Sequence, residues 1–219
     1  MMNITITKEE TILRISFFII GFSPIVSLSL SAFTVLPLHY SGPLIILPII
    51  GLILFLCGRY RSIAELFLKG VLTGIIAVII YDAFRLPFVF SGHFKDFIPK
   101  IGNYLFNTTD IHWTIGYLWR YIGNGGGMGM AFCMIVPFFP LRWKLKLKLI
   151  GIFYGILIFA CLIGTVYLSP FGTKYLFKPS LFTGFIAFVG HVIYGYVLGS
   201  LYPPIFRTCT SNNNYNSSL

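Results

Sequence analysis

Charged residues are scarce in this sequence. Asp, Glu, Lys and Arg together make up 10% of the 219 residues, whereas a soluble domain normally carries about a quarter. Acidic side chains are the rarest, with six Asp and Glu residues against 16 Lys and Arg residues. So few charges exclude an ordinary soluble domain, because most of the surface is not built to meet water.

Motifs that mark catalytic and metal sites are missing as well. The four cysteines, Cys57, Cys133, Cys161 and Cys209, show no CxxC spacing, so we expect free and mostly buried thiols rather than disulfides or a metal site. No segment contains GxSxG, HExxH or aspartates paired at one depth, and the sequence therefore gives no indication of an enzyme. The glycines of 125–129 lack the preceding strand that a nucleotide-binding loop requires. No cofactor is expected.

Long apolar runs dominate what is present. Apolar residues make up 57% of the sequence and aromatic residues 18%, and several runs approach the roughly 20 residues that cross a bilayer. We predict an all-α, polytopic transmembrane bundle of about six helices, forming a single domain over residues 1–205. The predicted segments are residues 15–36, 43–57, 62–88, 111–139, 149–168 and 179–203. The first two alternatively form one re-entrant pair, and the polar residues 206–219 predict a disordered tail.

The formal charge is +10, but the basic residues lie in short connections between apolar segments. This distribution is typical of cytoplasmic loops rather than of a nucleic-acid-binding surface, so no nucleic-acid partner is expected. Nine fall on one predicted side: Lys8, Arg14, Arg59, Arg61, Arg142, Lys144, Lys146, Lys148 and Arg207. Four fall on the other: Lys95, Lys100, Lys174 and Lys178. We expect both termini in the cytoplasm, with the chain in the plasma membrane or a bacterial inner membrane.

Two predicted helices carry charges within their apolar runs. Asp82 lies about six residues, or roughly 9 Å, below the outer end of the third segment. Arg120 falls at the matching depth of the fourth segment, because consecutive segments run in opposite directions. An isolated charge in hydrocarbon costs at least about 2.5–3.5 kcal/mol. The sequence therefore predicts an Asp82–Arg120 ion pair, with Arg85 reaching outward to the headgroups.

Helix breakers occur in two predicted segments. Pro24 interrupts the first, whose apolar run nevertheless continues and favours a retained helix over a cleaved signal peptide. The run 123–129 contains five glycines, each costing about 1 kcal/mol of helix propensity, and predicts a broken or closely packed helix. If residues 1–90 and 105–205 are two halves of three spans, each half carries its breaker in its first helix. Such paired interruptions are typical of a transporter's central site.

Small residues recur at helical spacing. GxxxG pairs occur in three predicted helices, at 70/74, 151/155 and 195/199. They predict close packing within a compact bundle, within a homo-oligomer or against a larger membrane complex. Five hydroxyl residues share one face of the first helix: Ser16, Ser23, Ser27, Ser31 and Thr34. This face favours helix packing, with a wet path as the alternative.

The residues that carry chemistry are predicted to meet in a polar cavity in the outer half of the bundle. They are Ser23, Ser27, Asp82, Arg85, Arg120, Asn124 and His191. His191 lies on an otherwise small helical face near mid-bilayer, where it either bonds a neighbouring helix or contacts a ligand or relays protons. The aromatic-rich connection 88–110 is expected to lie in the membrane interface.

The leading functional hypothesis is a small permease or solute-binding membrane subunit. Its arginines favour a small polar or anionic solute. One alternative is a non-catalytic accessory subunit of a larger membrane complex. Another is a metal- or haem-binding membrane protein, in which the predicted outer histidines His39, His93 and His112 gather around an ion.

Overall fold

The computed structural model describes residues 7–139 and 146–211, with side chains through Tyr202. Within these ranges every regular element is helical and no strand occurs. The helices are α1 (Lys8–Gly21), α2 (Ser23–Ala32), α3 (Leu38–Arg59), α4 (Arg61–Phe90), α5 (Ile98–Phe106), α6 (113–135), α7 (Leu147–Leu168), α8 (Gly172–Tyr175) and α9 (Leu181–Ser211). The all-helical class predicted from the sequence is therefore confirmed for this part of the chain.

Some sequence predictions fall on residues that the structure does not describe. Arg142 and Lys144 lie in the gap between residues 139 and 146, and the side chains of Arg207 and Cys209 lie beyond Tyr202. The helix α9 extends to Ser211, so its last turns overlap the start of the tail predicted from residue 206. The rest of that tail lies outside the described residues.

The first predicted segment is two helices joined at a bend. Thr7 caps α1 by accepting a hydrogen bond from the Glu10 amide at 3.2 Å, and the chain bends by 41° between α1 and α2. Pro24 lies at the first positions of α2 and has no amide hydrogen with which to continue the α1 hydrogen-bond ladder. The interruption predicted at this proline is present.

The second predicted segment is longer than the sequence suggested. The helix α3 has 22 residues and starts before Pro43, which it accommodates in a π-helical turn over Gly42–Ile46. The Tyr60 hydroxyl, just after α3, donates to Glu9 Oε1 at 2.7 Å. The end of α3 therefore lies beside the start of α1, while the start of α3 packs against α2, so α3 runs antiparallel to the α1–α2 pair.

In the part of the chain that the structure describes, four helices are long and apolar enough to cross a membrane: Leu38–Arg59, Arg61–Phe90, Leu147–Leu168 and Leu181–Tyr202. The bent pair of α1 and α2 raises the number to five if it forms one span. The fourth predicted segment, residues 111–139, is helical over 113–135 but does not reach the same hydropathy. The mean hydropathy of this segment is lowered by Arg120, by Asn124 and by the glycine run. Length and composition therefore support four to five spans.

Glycines bring α7 and α9 into backbone contact. Gly151 and Gly155 of α7 face Gly195 and Gly199 of α9, and a methyl group on any of the four would overlap the opposite backbone. Two of the three GxxxG pairs found in the sequence are thus used against each other within one chain. Such contact requires glycine because any side chain would separate the helices.

The third GxxxG pair joins α4 to α6. A side chain on Gly74 would collide with Gly125 and Gly129 of α6, and one on Gly70 would collide with the Met130 backbone. The glycine run of α6 is therefore closely packed, as predicted. Residues Trp119–Gly126 form a π-helical turn, so α6 is widened rather than broken. Turns of this kind are frequent at functional sites.

The two helix irregularities lie against each other. A side chain on Gly21, at the end of α1, would overlap the Gly127 carbonyl, and one on Gly123 would meet the Pro24 ring. The bend between α1 and α2 therefore packs on the π-helical turn of α6. This contact places both interruptions that the sequence marked in one region of the bundle.

The connection 88–110 covers one end of the bundle instead of lying only in the interface. Its helix α5 buries Ile98 and Ile101, which are 1% and 0% exposed. The Tyr104 hydroxyl donates to the Lys174 carbonyl at 3.1 Å, and burial is the main cause that raises the pKa of this phenol. We call α5 with residues 91–97 the cap.

Candidate functional site

Close packing of α4 and α6 brings a carboxylate and a guanidinium group together inside the bundle. Arg120 donates from Nε to Asp82 Oδ2 at 2.7 Å and from Nη2 to Asp82 Oδ1 at 2.5 Å. Asp82 is 1% exposed and Arg120 7%. The ion pair predicted from the depth of the two residues is confirmed, and its two-pronged geometry is the strongest that these groups can form.

Arg85 does not reach outward to the headgroups. Its side chain is 1% exposed and donates from Nε to Asp82 Oδ1 at 2.9 Å and from Nη1 to Asp96 Oδ1 at 3.0 Å. The prediction of an outward arginine was wrong because the cap covers this end of α4 and supplies a second carboxylate. The two carboxylates compensate the charge of the buried guanidinium, so lipid headgroups are not required for this.

Asp96 is the member of this cluster that sequence reasoning missed. It lies in the cap, where it also accepts hydrogen bonds from the Tyr117 hydroxyl at 2.8 Å and the Ile98 amide at 3.2 Å. A carboxylate in a polar connection resembles an ordinary solvated residue, and no periodicity marks it. The one signal in the sequence is an aspartate just before a proline-containing helix start, where aspartate commonly bonds the backbone two residues on, as Asp96 does with the Ile98 amide.

The four charged groups form one chain of ion pairs, which we call the charge ladder. It runs from Arg120 through Asp82 and Arg85 to Asp96. Two carboxylates and two guanidinium groups sum to zero formal charge. The charge ladder connects the wall of the bundle's interior to the cap.

A cavity of about 440 Å³ lies beside Arg120. Most of its lining is apolar or aromatic, with Phe94, Phe97 and Phe177 at the cap end and Met128, Ile158 and Tyr194 deeper in the bundle. Arg120, Asn124 and His191 contribute polar groups to one region of the wall. The sequence predicted a polar cavity; the structure contains an apolar one with a polar patch.

The cavity reaches the side of the bundle between α2 and α7. Its lining includes Val26 of α2 and Leu157 of α7, which are 46% and 60% exposed. The two helices touch through Ser29 Oγ and Thr165 Oγ1, 3.4 Å apart, and both hydroxyls line the cavity. The gap therefore lies between helices whose outer faces are apolar. We call it the side opening.

Of the two serines predicted to line the cavity, neither does. Ser27 is 0% exposed, and its carbonyl oxygen accepts hydrogen bonds from Ser31 Oγ at 3.2 Å and Ser41 Oγ at 3.4 Å. Ser23 is likewise buried away from the cavity wall. This hydroxyl face packs toward α3, which is the packing role that the sequence favoured. Ser29, on another face, lines the cavity in their place.

His191 lines the cavity with one ring nitrogen occupied. Its Nδ1 lies 2.7 Å from the Ala187 carbonyl oxygen, which can only accept, so Nδ1 carries the hydrogen. In the neutral ring Nε2 is then an acceptor, and it makes no hydrogen bond with the part of the chain that the structure describes. The ring packs against Tyr81 at a centroid distance of 5.3 Å.

Tyr81 contacts both the histidine and the arginine. The Arg120 Cζ atom is 4.7 Å from the Tyr81 ring centroid, and Gly190 leaves the space that the ring occupies. One phenol ring therefore holds His191 of α9 and Arg120 of α6 at a fixed separation. Such cation–π contacts are worth about 2 kcal/mol or more where they are shielded from water.

Two tyrosines tie the glycine-rich helix to its neighbours. Tyr194 of α9 donates to the Gly125 carbonyl and Tyr154 of α7 donates to the Met128 carbonyl, both at 2.8 Å. Asn124 lines the cavity next to these contacts, while its Oδ1 is buried without a partner among the described residues. Carbonyl groups in the widened part of α6 thus find protein donors, as membrane burial demands.

The histidines predicted outside do not gather. His93 bonds Ser91 Oγ at 2.9 Å, and His112 bonds Thr108 Oγ1 at 3.0 Å. Within residues 7–139 and 146–211 no group of three or more His, Cys, Asp or Glu side chains is arranged to hold a metal ion. No protein-family model matches the sequence, and no curated protein or solved structure is significantly similar to it.

Proposed function

We propose that this chain is a small multi-pass membrane protein that binds an amphipathic small molecule within the bilayer. It acts as a permease or as the solute-binding subunit of a membrane complex. The observation that carries the proposal is the cavity of about 440 Å³ with one polar patch and a side opening between apolar helices. Ligand sites of about 300–1,000 Å³ with few convergent polar groups are typical of small-molecule binding.

The chemistry of the wall supports a ligand with an apolar body. Aromatic and aliphatic side chains line most of the cavity, and burying apolar area there contributes about 25 cal/mol per Å². Arg120, Asn124 and His191 would orient the polar end of the ligand. Because the side opening lies between outer faces that suit lipid, the ligand would enter from the membrane rather than from water.

The topology that goes with this proposal has six passes and both termini in the cytoplasm. In the structure Lys8 and Arg61 lie at the same end of the bundle, because Tyr60 bonds Glu9. The opposite end carries the cap and α8. Impermeant maleimide labelling of intact cells would test the orientation with Lys146→Cys and His93→Cys in a cysteine-free background. Labelling at 93 alone agrees with the proposal, and labelling at 146 alone contradicts the assigned orientation.

Ligand-induced stabilisation tests the binding function. Purified protein in detergent would be heated with a panel of decyl-chain alcohols, amides and acids, alongside Ala187→Leu, whose longer side chain fills part of the cavity. The matched control is Ala83→Leu on the exposed face of α4. Stabilisation of the native protein and the control, but not of Ala187→Leu, supports the proposal. No stabilisation of the native protein by any compound refutes it.

A specific observation favours an accessory role as the second candidate. The part of α3 from Leu47 to Arg59 has no buried residue, and Leu54 and Phe55 are 68% and 67% exposed. This helix is held loosely at the edge of the bundle and offers its whole outer face to lipid or to a larger subunit. Purification in mild detergent with stoichiometric partner chains would favour this role.

A further inference from the structure

The polar patch of the cavity contains two acceptors without a protein partner in the described chain, His191 Nε2 and Asn124 Oδ1, and one cation that is already paired. Within the described residues the His191 ring makes one hydrogen bond, through Nδ1, which leaves Nε2 as a free acceptor. Arg120 is a donor already paired with Asp82. Both groups contact the ring of Tyr81, at 5.3 Å for His191 and 4.7 Å for the Arg120 Cζ atom. A ligand head that fits both must donate to Nε2 and accept from the guanidinium. A protonated carboxyl group does both, through its hydroxyl and its carbonyl oxygen.

The charge ladder decides the protonation state of such a ligand. Its two carboxylates and two guanidinium groups already sum to zero. A carboxylate entering alone would leave one uncompensated charge in the membrane interior, at a cost of at least about 2.5–3.5 kcal/mol. A carboxylic acid that keeps its proton, or passes it to Nε2, leaves the site neutral. In either case the O–H proton ends between the ligand oxygen and Nε2.

We propose that the cavity binds a monocarboxylic acid with an apolar body, together with one proton, its carboxyl group lying between Arg120 and His191. This inference rests on the proposed binding function and names its ligand class. The aliphatic or aryl body fills the apolar part of the cavity, and the acid enters through the side opening. Binding is electroneutral, so the complex holds one more proton than the free protein and the ionised acid together.

Other titratable groups around the histidine do not disturb this assignment. Tyr81 on α4, Tyr194 on α9 and Cys161 on α7 line the same cavity, and Arg120 with Asp82 completes the charged set. Phenols ordinarily ionise well above pH 7, and arginine stays charged. The proton that accompanies the ligand therefore lies between its carboxyl group and His191 Nε2.

Binding of decanoic acid across pH tests the proposal on the native protein. The dissociation constant would be measured in nanodiscs between pH 6 and 8, with empty nanodiscs subtracted. Because free aliphatic acids ionise at about pH 4–5, uptake of one proton raises the dissociation constant about tenfold for each pH unit. Decanol and decanesulfonate are the matched probes, one always neutral and the other always charged.

The outcomes separate this proposal from the function on which it rests. A tenfold slope for the acid, with flat and weaker binding of decanesulfonate, supports it. Equal binding of decanesulfonate, or a flat profile for the acid, overturns the proposal while leaving the binding function intact. Failure of all three probes refutes the binding function itself. In His191→Phe we expect acid affinity to fall at least tenfold, and unchanged affinity in a folded variant also overturns the proposal.

Discussion

Arg120 of α6 donates hydrogen bonds to both carboxylate oxygens of Asp82 of α4, and both side chains are buried. Asp82 also accepts from Arg85, so one carboxylate separates two guanidinium groups. Asp82→Asn therefore leaves two arginines facing an amide, and we expect a loss of roughly 3–5 kcal/mol of stability. Arg120→Gln should cost less, because Asp82 keeps Arg85.

Thermal unfolding in detergent measures both single variants and the double variant Asp82→Asn with Arg120→Gln. The double variant retains the neutral Arg85–Asp96 pair, so it should be more stable than Asp82→Asn alone. A double variant less stable than either single one would show that charge balance does not govern this cluster. Loss of ligand binding in the double variant, with folding restored, would separate the role of Arg120 in the cavity from its role in stability.

The Asp82–Arg120 pair could be predicted from the sequence because the position of a residue along a membrane-spanning helix determines its depth in the membrane. Two antiparallel helices with a rise of about 1.5 Å per residue place Asp82 and Arg120 at one level without knowledge of any other contact. Arg85 lies on the same helix, but its partner Asp96 comes from a connection with no regular period. The orientation of the Arg85 side chain therefore depends on how the cap folds back over the bundle, which the sequence pattern does not specify.

The cavity was harder to predict than the ion pair. Sequence spacing places Ser23, Ser27 and Ser31 on one helical face, but it does not say which neighbour that face meets. In the structure the face meets α3 through the Ser27 carbonyl, and Ser29 meets the cavity. The apolar character of the cavity also follows from residues of α7 and the cap that no motif distinguishes from ordinary core residues.

Close helix contact at Gly155 predicts a position-specific effect of alanine on α7. A methyl group there would overlap the His191 carbonyl of α9, whereas Gly164 on the same helix has open space around it. Gly155→Ala should lower the unfolding temperature and disturb His191, while Gly164→Ala should be neutral or slightly stabilising. The expected gain at Gly164 is at most about 0.8–1.0 kcal/mol, from helix propensity. Equal effects at the two positions would contradict the close contact.

The contacts of Asp96 predict that hydrogen bonds to a charged carboxylate hold the cap on the bundle. Asp96→Asn keeps the shape of the side chain but removes a charged acceptor for Arg85, Tyr117 and the Ile98 amide. A hydrogen bond to a charged group contributes about 1.5–3 kcal/mol, so amide hydrogen exchange in residues 91–106 should speed up more than tenfold. The matched control is Asp110→Asn, an exposed residue in the next connection. Similar exchange in both variants would mean that apolar burial alone holds the cap.

The side opening predicts reversible control of ligand entry. Ser29 and Thr165 face each other across it, with their hydroxyl oxygens 3.4 Å apart. In a background without the native cysteines, Ser29→Cys with Thr165→Cys should form a disulfide under mild oxidation and join α2 to α7. Ligand association should slow at least tenfold in the oxidised protein and recover after reduction, because the helices can no longer separate. The matched controls are the single variants Ser29→Cys and Thr165→Cys under the same oxidation, and they should leave association unchanged. Full-speed association in the oxidised 29–165 protein would show that the ligand enters by another route, such as past the cap.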